Sequence, residues 1–368
     1  MEQGYDRAQL TTNSQQHFES LLNRASEQTV QLDRQLLSQA FTRNREQVLF
    51  QSTQPDFGGG YVVTNEVLAP FAPWLQHIDG AVITIGTDMG LDLLANSSAD
   101  LAILVDKSIR VSLTTRLLLE LPLHFAAMHQ WHTPSIKQLA ELFDFTIDKN
   151  KNLAEILIHS GLSSDSAFFP LIEQYIRMGM SSKERTDTLL SFAHYLLIKS
   201  TLPTSWLSSP EKIAKILQLY AEGRIIIMRQ DITSPTIASH ISSILSDHQT
   251  SIGAMHLMNV EEFIDQPIAC DEWEFKDNAV ILRSIQGKYF LSQAENELPA
   301  FPMVGDARRF ASPDWHYNVE SITHFKQRLA SSDYSFNSNT LRTTLLADSK
   351  VHPDRYASGV SVLKLPQE

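Results

Sequence analysis

The groups in this 368-residue chain whose types and spacing suit chemistry begin with a glycine turn, Gly86-Thr87-Asp88-Met89-Gly90, placed directly after the β-branched run Val82 to Ile85. A second apolar run, Leu101 to Val105, stops on Asp106, about twenty residues past Gly86. That is the separation at which a carboxylate accepts from the ribose hydroxyls of a nucleotide lying over such a turn. Two later apolar runs end close to Asp231 and Asn259. In a parallel sheet all four polar ends face one crevice, where loops diverge and helix N-termini present free N–H groups. An adenine nucleoside suits the set. Asp106 would take the ribose, Asp231 or its neighbouring amide the adenine edge, and Asn259 a substrate or the far end of a cofactor. Each residue taken singly is also an ordinary loop residue, since Gly, Asp and Asn favour turns whatever the function.

These residues need elements to hold them. Residues 81 to 106 read as strand, turn, helix and strand, and a right-handed crossover returns the second strand beside the first. Further strands are expected at 224–228, 251–258 and 279–283, with a helix over Ile237 to Ser246 between the first two. Between the second and third strands, residues 112 to 222 carry helical periodicity and no strand-like run, including Leu113 to Met128, Ile136 to Phe143, Phe168 to Met180, Thr186 to Lys199 and Pro210 to Ala221. The segment is too long for one crossover helix and is expected to form a cap or subdomain. His17 to about Val48 predicts one or two amphipathic helices. A helix is expected to start at Thr64, and Trp315 to Glu320 is a polar and aromatic cluster just before the helical ITHFKQRL. The organisation is therefore a helical extension over 1–60, an α/β domain over 61–111 and 223–368, and a helical insertion over 112–222.

Composition narrows the function classes. Forty-two acids against 30 bases give a formal charge of −12, with no Lys/Arg block, so an extended nucleic-acid footprint is not expected. The single cysteine, Cys270, allows no intramolecular disulfide and no zinc cluster. No signal-peptide core and no long apolar run stand out, which predicts a soluble, cytoplasmic protein that does not use a membrane. His124, His129 and His132 lie close in sequence, and 129 and 132 share a face if their helix continues. With no acid on that face in the next turn and Pro134 following, no metal site is expected there.

The succession of strand, G-T-D-M-G turn, Asp106 and Asp231 resembles the class I S-adenosylmethionine-dependent methyltransferase fold. GAVITIGTDMGLDLLA, the preceding VVTNEVLAPFAPWL, the later LMNVEEF and the terminal WHYNVESITHF look like an uncharacterised bacterial group of methyltransferase-like proteins. In that group a glycine-aspartate turn, an S/T-N-E segment, a strand ending in N-x-E-E and a W-H-Y-N box recur in this order. The likeness covers about residues 61–110 and 223–330.

The resemblance implies a Rossmann-like, mainly parallel sheet of the class I methyltransferase type and S-adenosylmethionine as cofactor. The cofactor residues it implies are Gly86, Thr87, Asp88, Gly90, Asp106, Asp231 and Asn259. Methyl transfer chiefly requires alignment of the acceptor and removal of its proton. His316 is the first candidate base because its ordinary pKa lies near neutrality; Tyr317 and Glu262 follow. Asn65, Glu66, Glu261 and Asn318 are the substrate-side candidates, for an acceptor that is either a small molecule or a protein. Glu66 equally suits the first turn of a helix capped by Thr64. Asp88 stands where the methyltransferase turn ordinarily has its second glycine. The competing expectation is a catalytically inactive Rossmann-like binding protein that uses the helical insertion as its partner surface. A nicotinamide enzyme fits less well, because G-x-G-x-x-G is absent.

Overall fold

A computed structural model describes residues 16, 19–39, 50–51, 68, 71–86, 88–143, 196–197, 199–258, 260, 268, 270, 272–286, 315–330 and 360–362. Among the described residues, eight strands form one mixed sheet in the order β1-β4-β3-β2-β5-β6-β7-β8. They are β1 (Phe50–Gln51), β2 (Asp79–Ile85), β3 (Ser98–Asp106), β4 (Ile225–Arg229), β5 (Ile252–Met258), β6 (Phe275–Gln286), β7 (Trp315–Ser321) and β8 (Val360–Val362). Strands β1 to β6 run parallel, β7 pairs antiparallel with β6, and β8 follows the direction of β7. The protein is of the α/β class.

Buried β-branched and aliphatic runs explain the central strands. Ala81 to Ile83, Leu101 to Val105 and Ile252 to Leu257 are apolar almost without alternation, as strands covered on both faces must be. On one face, Ile83, Ile103, Met255 and Ile281 pack with two helices. One is α6 (Pro235–Asp247), through Ile237, Ile241 and Ile244; the other is α7 (Ile322–Ala330), through Ile322 and Phe325. The other face carries α2 (Asp88–Asn96). A Cβ on its Gly90 would come within 2.3 Å of Leu104 Cδ2 and 2.4 Å of Thr84 Oγ1. Only glycine lets this helix lie so close to β2 and β3.

Chain contacts divide the molecule into two units, Met1–Gln39 with Leu118–Gln218 and Ala40–Leu117 with Leu219–Glu368. The sheet belongs to the second. In the first, helical segments at residues 19–24 and 34–39 accompany the later part of α3 (Ile109–Met128), α4 (Ile136–Phe143) and most of α5 (Pro210–Ala221). Hydrogen bonds from Leu32 N–H to Trp131 O (2.7 Å) and from Thr133 N–H to Val30 O (2.8 Å) tie the N-terminal segment to the turn after α3. Helix α1 (Ala72–Leu75) is a single turn. The helix start expected at Thr64 and the helix expected over Phe168–Met180 lie outside the described residues.

Two local expectations change. The polar and aromatic cluster does precede a helix, α7, but Trp315 to Ser321 is itself a strand: it pairs residue for residue with β6, from Trp315 opposite Gln286 to Ser321 opposite Val280. The helix carrying His124 ends at Met128, so His129 and His132 do not share a helix face. Gln130 and Trp131 adopt left-handed backbone there (φ 56° and 65°) and turn the chain away. His129 stacks on Phe125, with ring centroids 3.9 Å apart.

Candidate functional site

The parallel register brings the carboxyl ends of β2, β3, β4 and β5 to one rim of the sheet, so the residues following these strands share that rim. Strand order runs outward in opposite directions from β2 and β5, which are paired to each other. Strand β3 lies on one side of that pair and β6 on the other, the reversal of strand order beside which ligands of such sheets bind.

Gly86 leaves β2 in left-handed backbone (φ 79°), and its N–H donates to Val105 O at 3.0 Å. A side chain there would be strained, and its Cβ would stand 3.1 Å from Met258 Sδ. The thioether of Met258 therefore covers the turn. Met258 closes β5 and is itself left-handed (φ 52°), an unusual state for a side chain of that size. Asp88 is the first residue of α2 and is buried. Gly90 belongs to the packing of α2 on the sheet.

Asp106 ends β3, half-buried, and its Oδ1 accepts from the N–H of Ser108 at 2.7 Å. This Asx turn leads the chain into α3. Asp106 is the register partner of Arg229, the last residue of β4. Asp231 follows two residues later, with Oδ1 accepting from the N–H and the hydroxyl of Thr233 at 2.9 and 2.7 Å. Both carboxylates thus hold βα turns through Oδ1.

Strand β7 brings its own residues to the same rim, because it runs antiparallel to β6. Trp315, His316 and Tyr317 oppose Gln286, Ile285 and Ser284 at the carboxyl end of β6, and Asn318 opposes Arg283. Their backbone positions therefore lie on the rim that carries Gly86, Asp106 and Asp231. Thr87, Asn259, Glu261, Glu262, Asn65 and Glu66 lie outside the described residues.

The model of the family described as "Domain of unknown function (DUF7790)" matches residues 61–364, more than four-fifths of the chain. The chain belongs to DUF7790. No curated protein matches it. The DUF7790 match takes in the whole of β2 through β8, with α3, α4 and α5 between β3 and β4.

Several polar groups of the DUF7790 sheet were not singled out by their spacing. Gln230, buried beside Asp231, contacts His240 Nδ1 through its Nε2 at 2.8 Å. His256 is fully buried within β5, and burial pushes its pKa down to about 3. Arg283 and Glu320 form an ion pair between β6 and β7. A signal for His256 and Arg283 was present: each is a lone polar residue inside an otherwise apolar strand, SIGAMHLM and AVILRS. Among the described residues, no group of three side chains able to hold a metal ion converges. None of the described helices is long and apolar enough to cross a membrane.

Proposed function

We propose that the sheet is Rossmann-like, of the class I methyltransferase type, and that its carboxyl rim binds S-adenosylmethionine for methyl transfer to a small-molecule or protein acceptor. One observation carries this reading: the left-handed turn at Gly86 and the carboxylate of Asp106 end adjacent parallel strands, beside the pair at which strand order reverses. The residues fit an adenosyl group. Gly86 leaves room for close backbone approach once the flexible Met258 side chain moves. Asp106 ends β3 with a half-buried carboxylate, the acceptor type that ribose hydroxyls need.

S-adenosylmethionine supplies a methyl group already activated by its sulfonium sulfur. The protein's part is to hold the acceptor in line and, where needed, to remove its proton. His316 is the proposed base, with Tyr317 and Glu262 as further candidates, and Asn65, Glu66, Glu261 and Asn318 contact the acceptor. Thr87, Asp88, Asp231 and Asn259 complete the cofactor set. One observation favours the alternative, a catalytically inactive binding protein: Met258 covers the turn that the cofactor would occupy.

Calorimetric titration with S-adenosylmethionine and S-adenosylhomocysteine, on the wild type and on Asp106→Ala, tests the proposal. Binding that is lost in the variant supports it. Absence of heat with either ligand at millimolar concentration removes it. Binding that survives the substitution moves the site away from β3. Binding without methyl transfer to any acceptor offered supports the inactive alternative.

A further inference from the structure

Strand β5 ends irregularly, and the irregularity falls at the residue that covers the Gly86 turn. His256 is the register partner of Leu282 and Met258 that of Arg283, so two steps along β5 match a single step along β6. A bulge of this kind bends its strand and re-aims a side chain, and bulges are enriched next to active sites. Met258 is also in left-handed backbone (φ 52°), which costs free energy for a residue with a Cβ and persists only where the surrounding structure imposes it. On the side of β2, Thr84 and His256 are register partners, and Gly86 and Met258 each stand two residues beyond them. Two left-handed residues therefore meet at the ends of the paired strands β2 and β5. The thioether fills the space between them: Sδ lies 3.1 Å and Cε 3.9 Å from the point that a Gly86 Cβ would occupy.

We infer that Met258 is a latch on the cofactor site: its side chain closes the Gly86 turn and swings away when S-adenosylmethionine binds. The inference rests on the function proposed above, which needs close backbone approach at Gly86, and it names what controls that approach. An unbranched side chain with three rotatable bonds changes rotamer readily, and Met258 is only half-buried. Because the closed form excludes the ligand, the observed affinity is the intrinsic affinity scaled by the fraction of open chains. Met258 thus lowers the affinity of a rim whose backbone turn is already formed.

The test is calorimetric titration of S-adenosylhomocysteine into the wild type and Met258→Gly. Glycine accepts left-handed backbone without strain and removes the cover. The expected result is an affinity about tenfold or more higher in the variant, as follows when no more than about a tenth of wild-type chains are open. An affinity unchanged within roughly twofold overturns the latch, and a weaker one overturns it by making Met258 a wall of the site. Absence of binding to the wild type removes the cofactor proposal itself, and this inference with it. If Met258→Gly fails to fold, nuclear Overhauser contacts of the wild-type protein, labelled at its methionine methyl groups, decide. A contact between the Met258 methyl and Gly86 that disappears on saturation with S-adenosylhomocysteine supports the latch, and one that persists refutes it.

Discussion

Arg283 and Glu320 are joined across β6 and β7 by an ion pair of 2.7 Å, Nη2 to Oε2, with side chains only 1% and 0% exposed. Glu320 opposes Ile281 and Arg283 opposes Asn318, so the pair is a diagonal contact on one face of the antiparallel ladder. It ties the strand carrying His316 and Tyr317 to the last strand of the parallel set. A pair this deep gains from mutual attraction but loses the hydration of both charges, so its value lies in joining these strands in this register.

Removing one partner strands the other charge in the core. Arg283→Met is expected to lower the unfolding free energy by about 3–5 kcal/mol, whereas Arg283→Met combined with Glu320→Leu recovers most of that loss. Urea unfolding of the wild type, the two single variants and the double variant measures this. A double variant no more stable than the worse single one would refute the account.

His256 makes stability depend on acidity. Its folded pKa of about 3 lies below its ordinary value of 6.5, so between these values the unfolded chain binds the extra proton and the folded one does not. Stability is therefore greatest above pH 6.5 and falls as pH drops from 6.5 towards 3, by up to about 1.4 kcal/mol per pH unit from this group. His256→Leu should flatten that part of the acid limb when unfolding is followed at several pH values. Parallel wild-type and variant profiles would show that His256 does not carry the effect.

Gly90 and Gly86 should fail differently. Gly90→Ala forces a methyl group into Thr84 and Leu104 and is expected to cost about 1–3 kcal/mol as overpacking. Gly86→Ala meets the side chain of Met258, which can yield, and bears chiefly the left-handed backbone penalty of about 1–2 kcal/mol. Denaturant midpoints check both values. Combining Gly86→Ala with Met258→Ala should relieve the steric part and leave the backbone part.

Asp106 has two separable duties under the proposed function. Asp106→Ser retains a side-chain oxygen for the Ser108 N–H and should change stability by less than about 1 kcal/mol. The same change removes the charged acceptor for the ribose and should weaken S-adenosylhomocysteine binding by about tenfold or more. Thermal unfolding and calorimetry on one preparation separate the two duties. A destabilised variant with intact affinity would assign Asp106 to the turn alone.

Much of the sheet was legible from local pattern. The runs at 81–85, 101–105 and 252–257 are apolar, short and bounded by turn residues, and each became a buried strand. Strand β7 was not legible in the same way. Trp-His-Tyr-Asn-Val-Glu mixes aromatic, polar and acidic side chains, and Glu320 reaches the core only because Arg283 is there to meet it. The helix after Leu113 was legible through its leucines, with Pro122 inside the helix. Its end was not, because left-handed backbone at Gln130 and Trp131 carries no glycine signal.

The sequence by itself determined the alternation of strands and helices, the glycine at Gly86 and the acids that follow β3 and β4, because side-chain shape and turn chemistry act within a few residues. Only the tertiary structure decided strand order and direction, and with them which residues share the rim. It also set Met258 over Gly86, His256 beside Thr84 and Arg283 against Glu320. Those relationships join residues from about 37 to 172 positions apart, and local preference has no reach over such distances. They are set when the chain finds the one register that buries its apolar strands on both faces.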